Sequence, residues 1–213
     1  MAFGLIGKKI GMTQIFADDG QVIPVTALQV GPCVVLDKMT VEKNGYVALK
    51  LGFGEVKEDR VRNPQKVFFK KNNLKPVQYM KEFRLTNTDE YNIGDIIDVS
   101  AFSDVEYVDV IGMSKGKGYQ GPMKRWGMGG GPAAHGSHFH RALGSSGMCE
   151  FPGRIFKNTH MAGRMGYDKV TTQNLKVVKI DKENNVIFVK GAVPGKRTGI
   201  IYVRFAVKKQ NVK

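Results

Sequence analysis

Residues 112–132, GMSKGKGYQGPMKRWGMGGGP, place Gly116, Gly118 and Gly121 in GxGxxG spacing directly behind the strand-like run VEYVDVIG. After a strand, that spacing can lay backbone N–H groups on a pyrophosphate, provided a helix opens behind the third glycine and an acid about 20 residues on holds the ribose. The context fails both conditions, because Pro122 and then GMGGGP follow and position 141 is Arg. No Gly-Lys-Ser/Thr stands at P-loop spacing either. The run HGSHFH supplies His135, His138 and His140, with Cys149 and His160 further on, residue types that bind zinc. Glycine-rich chain gives such ligands no rigid frame, and no carboxylate stands near until Glu150. Ser137 and Ser145 lie on no nucleophile elbow and lack a carboxylate to orient a base. The sequence therefore predicts no catalytic residue, no metal and no cofactor, and no small-molecule substrate.

Phosphate remains the ligand that these residues suit. Lys115, Lys117, Lys124, Arg125, Arg141, Arg154, Lys157 and Arg164 can neutralise it, the arginines with two donors each. Tyr119, Trp126, His138, Phe139 and His140 offer faces on which unpaired bases stack, and His135 joins the other histidines as a phosphate donor. Glycines let the backbone approach a phosphate ridge and expose peptide N–H groups to it. Residues 113–169 hold 13 of the 26 glycines, all four histidines, the single tryptophan, and nine Lys/Arg against two acids, Glu150 and Asp168. That excess of 7 is half of the net charge of +14, in about a quarter of the chain. No helical or strand periodicity runs through the segment and too few large apolar residues fall in pattern for it to build a core. A groove-reading helix for duplex DNA is missing. Folded, irregular RNA is the partner the composition predicts.

The rest of the 213-residue chain must carry this segment. Short runs rich in β-branched and aromatic residues recur between turn residues: LIGKKIGMTQIF, QVIPVTALQV, CVVLDKMT, YVALKLGF, IGDIIDVSAF, VEYVDVIGM, LKVVKID, NVIFVKGAV and GIIYVRFAV. Their number and spacing predict a mostly β fold built on a closed barrel. Residues 55–95 are charged, lack clean alternation, and fit one short helix after Pro64, so they read as a small α+β insertion. The expected organisation is a first part of the barrel over 1–54, the insertion over 55–95, barrel strands over 96–112, the basic extension over 113–169 and closing strands over 170–213. No apolar span or cation-faced amphipathic helix suggests a membrane, and the first residues do not read as a signal peptide, so a cytoplasmic protein is expected. Cys33 and Cys149 stand alone, without a CxxC partner.

The run FSDVEYVDVIGMSKGKGYQGPMKR resembles the signature of the universal large-subunit ribosomal protein L-three family, through Phe102, Asp109, Gly112, Ser114, Gly116, Lys117, Gly118, Gly121 and Arg125. The start GLIGKKIGMTQIF, the stretch HMAGRMG and the later VKGAVPG are similar to its bacterial members, so the resemblance spans essentially the whole chain. It implies a translation-factor-like β-barrel with a long extension that threads through large-subunit rRNA toward the peptidyl-transferase centre. It also implies early binding during subunit assembly, neighbouring large-subunit proteins as further partners, and a place in the ribosome. The extension's tip then falls in LGSSGMCEFPG, at Ser145, Ser146, Gly147, Met148, Cys149 and Glu150. Many relatives carry glutamine in this turn, one of them a methylation site, whereas this chain has Met148, Cys149 and Glu150 there. A carboxylate at this place needs a cation, for which Arg141 and Arg154 are the expected partners. Ordering such an arm costs conformational entropy that RNA contacts must offset, so the arm is expected to be mobile in free protein.

Overall fold

The computed structural model describes residues 3–209. In chain order the strands are β1 (Gly4–Phe16), β2 (Val22–Val30), β3 (Cys33–Met39), β4 (Ala48–Glu55), β5 (Val77–Arg84), β6 (Ile96–Ile97), β7 (Tyr107–Met113), β8 (Gly118–Gln120), β9 (Gly163–Met165), β10 (Lys169–Asp181), β11 (Val186–Lys190) and β12 (Ile200–Phe205). The helices are α1 (Val41–Asn44), α2 (Asn63–Lys71) and α3 (Pro122–Trp126). Two compact units result: one runs to Met113 and resumes at Lys169, and the other is Ser114–Asp168.

The first unit contains the expected closed barrel, six antiparallel strands in the order β1-β12-β7-β10-β11-β2. Period-two alternation turns every second side chain inward. Leu5 thus lies opposite Val203, and Val203 opposite Val110, a fully buried row across β1, β12 and β7. Ile187 of β11 faces Leu28 of β2 in the same way. Each such side chain contributes roughly 1.5–3 kcal/mol by leaving water.

The expected assignment of all strands in 1–54 and 96–112 to the barrel is corrected by the pairing. β3, β4 and β6 leave it and form a four-stranded sheet with β5, in the order β5-β4-β3-β6. Local alternation looks the same in a barrel and in an open sheet, so the pattern cannot name the partner strand. The sheet is covered on both faces: Leu49, Leu51 and Phe53 of β4 join the barrel core, while α2 packs Phe69 against Leu36 of β3. β5 falls within the charged stretch, where Lys81 and Glu82 hide its alternation. The run IGDIIDVSAF yields only the two residues of β6 followed by a 3-10 turn, and α1 lies between β3 and β4.

A charged group sits inside the barrel wall. The Asp109 carboxylate of β7 is fully buried. It meets the Arg204 guanidinium at 3.3 Å and accepts the backbone N–H of Asn174 at 3.0 Å and of Val207 at 3.4 Å. Asn174 adopts φ +56° inside the irregularity of β10 between Thr172 and Leu175, so the carboxylate serves an amide that the ladder leaves free.

Candidate nucleic-acid interface

The chain leaves the barrel at Met113 and returns at Lys169, which are paired across β7 and β10. Between them, Ser114–Asp168 begins and ends as a stem. The Ser114 N–H donates to the Asp168 carbonyl at 2.8 Å, and the Asp168 N–H returns to the Ser114 hydroxyl at 3.1 Å. The Lys117 N–H donates to the Met165 carbonyl at 2.9 Å, and β8 pairs with β9 with Tyr119 opposite Arg164. Gly166 closes this stem at φ +77°, where a Cβ would collide with the Lys115 carbonyl.

A helix does open behind Gly121, contrary to the reading of Pro122 as a stop. α3 is five residues long, with Pro122 in its first turn and Gly127 at φ +74° as its left-handed end. Proline at the first position and glycine past the last is the favourable placement of both residues. This proline also removes an N–H from the terminus where a pyrophosphate would sit. From Gly127 to Ala162 no strand or helix follows.

α3 is fastened to the returning limb at one point. The Met161 carbonyl accepts from Arg125 Nη1 at 2.9 Å and from Trp126 Nε1 at 2.8 Å. The Trp126 indole stacks on the His160 imidazole, with centroids 4.2 Å apart and planes 8° from parallel. The Arg125 guanidinium lies 4.8 Å from the indole centre, and Gly163 leaves the space it occupies, since a Cβ there would stand 2.5 Å from Nη1. His160 is therefore a member of the site that sequence reasoning did not include. Nothing in the sequence pairs it with Trp126 across the intervening chain.

Further out, His140 and Gly131 are joined by a carbonyl-to-amide bond of 2.8 Å, and Phe139 packs against Gly131 and Gly144. Arg154 lies over the Phe156 ring at 5.4 Å. In the tip turn the Ser145 hydroxyl donates to the Gly147 carbonyl at 2.8 Å, while Met148, Cys149, Glu150 and Phe151 are exposed. Among the described residues Glu150 forms no ion pair with Arg141 or Arg154, so the expected compensation within the chain is not made. His135, His138 and His140 do not converge with Cys149 or Glu150, and among the described residues no cluster of three His, Cys, Asp or Glu forms.

What unites the segment is exposure. Pro122 is its only buried residue. Lys115, Lys117, Tyr119, Lys124, Trp126, His135, His138, His140, Arg141, Arg154, Lys157 and Arg164 are all exposed, and Arg125 is partly so. None of these cations pairs with a carboxylate among the described residues. The surface is thus open, cationic, studded with rings and free of a core of its own.

The family model described as Ribosomal protein L3 matches residues 80–186. Over nearly its full length the chain is similar to proteins named Large ribosomal subunit protein uL3. That of Petrotoga mobilis is 51% identical, covering 99% of this chain and 98% of the relative. Those of Treponema denticola and Carboxydothermus hydrogenoformans are 53% and 49% identical, covering 97% and 98% of this chain and 98% and 99% of the relatives.

Proposed function

The chain belongs to the ribosomal protein L3 family, and from that membership we propose that it binds large-subunit rRNA through Ser114–Asp168, acts early in subunit assembly, and supports the rRNA around the peptidyl-transferase centre with the tip of that segment. It is a structural protein of the large ribosomal subunit, located in the ribosome, and not an enzyme.

The observation that carries the finer reading is a segment of eight unpaired cations and two acids with a single buried side chain. Fixing one residue's backbone costs roughly 1–2 kcal/mol, and one buried proline does not offset that over Gly127–Ala162. Phosphates and base faces supply what the segment lacks. In this reading Lys115, Lys117, Lys124, Arg141, Arg154, Lys157 and Arg164 neutralise phosphates. Tyr119 and His135, His138 and His140 meet bases or phosphates, Arg125 and Trp126 hold the stem, and Ser145–Glu150 reach furthest. The early role and the place of the tip rest on the family resemblance over the whole chain, and neighbouring subunit proteins are the further partners.

The test compares the intact chain with one in which Ser114–Asp168 is replaced by a short Gly-Ser turn. Met113 and Lys169 already face each other in the ladder, so a turn can close β7 onto β10. Binding to large-subunit rRNA is followed across a salt series. Loss of roughly five to eight phosphate contacts flattens the log–log slope by about that number times 0.7–0.9. An unchanged slope with a folded barrel overturns the assignment.

A further inference from the structure

We propose that α2 and the β5 edge of the four-stranded sheet form a second phosphate-binding surface for large-subunit rRNA, independent of Ser114–Asp168. The inference rests on the rRNA-binding reading above.

Between Arg60 and Lys75 the chain carries Arg60, Arg62, Lys66, Lys70, Lys71 and Lys75 and no acid. All are exposed except Lys66, which is half-buried, and among the described residues none pairs with a carboxylate. Local helix chemistry accounts for part of this. Lys70 and Lys71 occupy the last turn of α2, where cations meet the negative end of the helix dipole. Arg62 and Lys66 lie at the start of the helix, where a cation opposes the dipole, and no acid stands in the first turn to relieve it. Helix stability therefore disfavours this part of the cluster, and an external anion supplies what the helix does not.

The sheet order then separates charge. α2 leads into β5, which adds exposed Lys81 and Arg84 at one edge against one exposed acid, Glu82, whose carboxylate accepts from the Tyr46 hydroxyl. β6 forms the opposite edge and is flanked by exposed Asp95 and Asp98, and residues 85–113 contain seven acids and no Lys or Arg. A mixed, solvated surface would interleave the signs. With strands about 4.8 Å apart, four strands set the two edges about 14 Å from each other, beyond the screening length of about 8 Å at physiological salt. The edges thus present distinct potentials, and only the β5 side attracts a polyanion. A row of unpaired cations on a helix, without the interleaved glycines of Ser114–Asp168, fits the phosphate ridge of an RNA duplex rather than splayed bases.

The experiment uses the full chain carrying Arg62→Gln, Lys66→Gln, Lys70→Gln and Lys71→Gln. Glutamine keeps helix propensity, and a thermal melt confirms the fold. In a salt series with large-subunit rRNA, loss of three to four phosphate contacts lowers the log–log slope by about 2–3.5. The same drop appears in the chain lacking Ser114–Asp168, because the two surfaces act separately. Asp95→Asn with Asp98→Asn, at the opposite edge, does not lower the slope. A slope unchanged by the four glutamines overturns the proposal and leaves α2 a solvated face or a dock for an acidic protein. The replacement of Ser114–Asp168 in the same series reports on that segment alone, so either assignment can fail while the other stands.

Discussion

The Trp126 indole lies flat on the His160 imidazole at 4.2 Å while its N–H donates to the carbonyl of Met161, so one side chain ties the outgoing limb of the basic segment to the returning limb. Stacking and the indole bond each contribute on the order of 1 kcal/mol. The segment therefore divides into a stem held across its two limbs and an outer part whose bonds are local turns and the Gly131 to His140 backbone bond. In the free protein, amides of Lys117 and Gly127, which donate to Met165 and Met123, exchange measurably more slowly than those of residues 132–136. Trp126→Ala erases that difference in the stem. Uniform rapid exchange across Ser114–Asp168 in the wild type would show that the stem does not form in the free protein.

Asp109→Ala destabilises the barrel by about 3–5 kcal/mol, because Arg204 loses its partner and two backbone N–H groups lose their acceptor at a fully buried position. Asp109→Asn keeps an acceptor but not the charge, and its loss is smaller. Urea unfolding of the two variants checks the order.

Gly195 adopts φ +100°, and a Cβ there would stand 2.8 Å from the Met113 carbonyl at the end of β7. Gly195→Ala meets both backbone strain and that contact, and costs on the order of 1–3 kcal/mol. For a chain of this length the melting temperature falls by about 2–4 °C per kcal/mol. Gly20→Ala, with a similar φ of +78° but open space around it, separates the strain from the clash.

Burial pushes the Cys33 thiol up to about 12, while Cys149 is exposed. A thiol reagent at neutral pH therefore labels one cysteine in the native protein and two in denaturant. Since the folded value lies above the ordinary 9.0, the fold favours the protonated thiol. Its stabilising effect is complete below about pH 9 and is lost as pH rises from there through about 12. Cys33→Ala removes this part of the alkaline loss, read as the difference between the two proteins' stability curves from pH 9 to 11.

What the amino-acid sequence determined by itself was local or compositional. Alternation between turn residues marked β1, β2, β7, β11 and β12, and a proline beside a short apolar run marked α2. The density of glycine and cations, with few large apolar residues in pattern, set 113–169 apart as a basic segment without a core of its own. Tertiary structure decided the pairings. That β3 and β4 join β5 and β6 instead of the barrel goes with a sheet covered on both faces, Leu49, Leu51 and Phe53 in the barrel core and Leu36 against Phe69 of α2, which no local pattern encodes. The meeting of Trp126 with His160, and the separation of cations and acids to opposite sheet edges, likewise depend on chain closure between residues distant in sequence. Periodicity reports which face of an element is apolar; only the assembled fold selects what that face, or a charged edge, will meet.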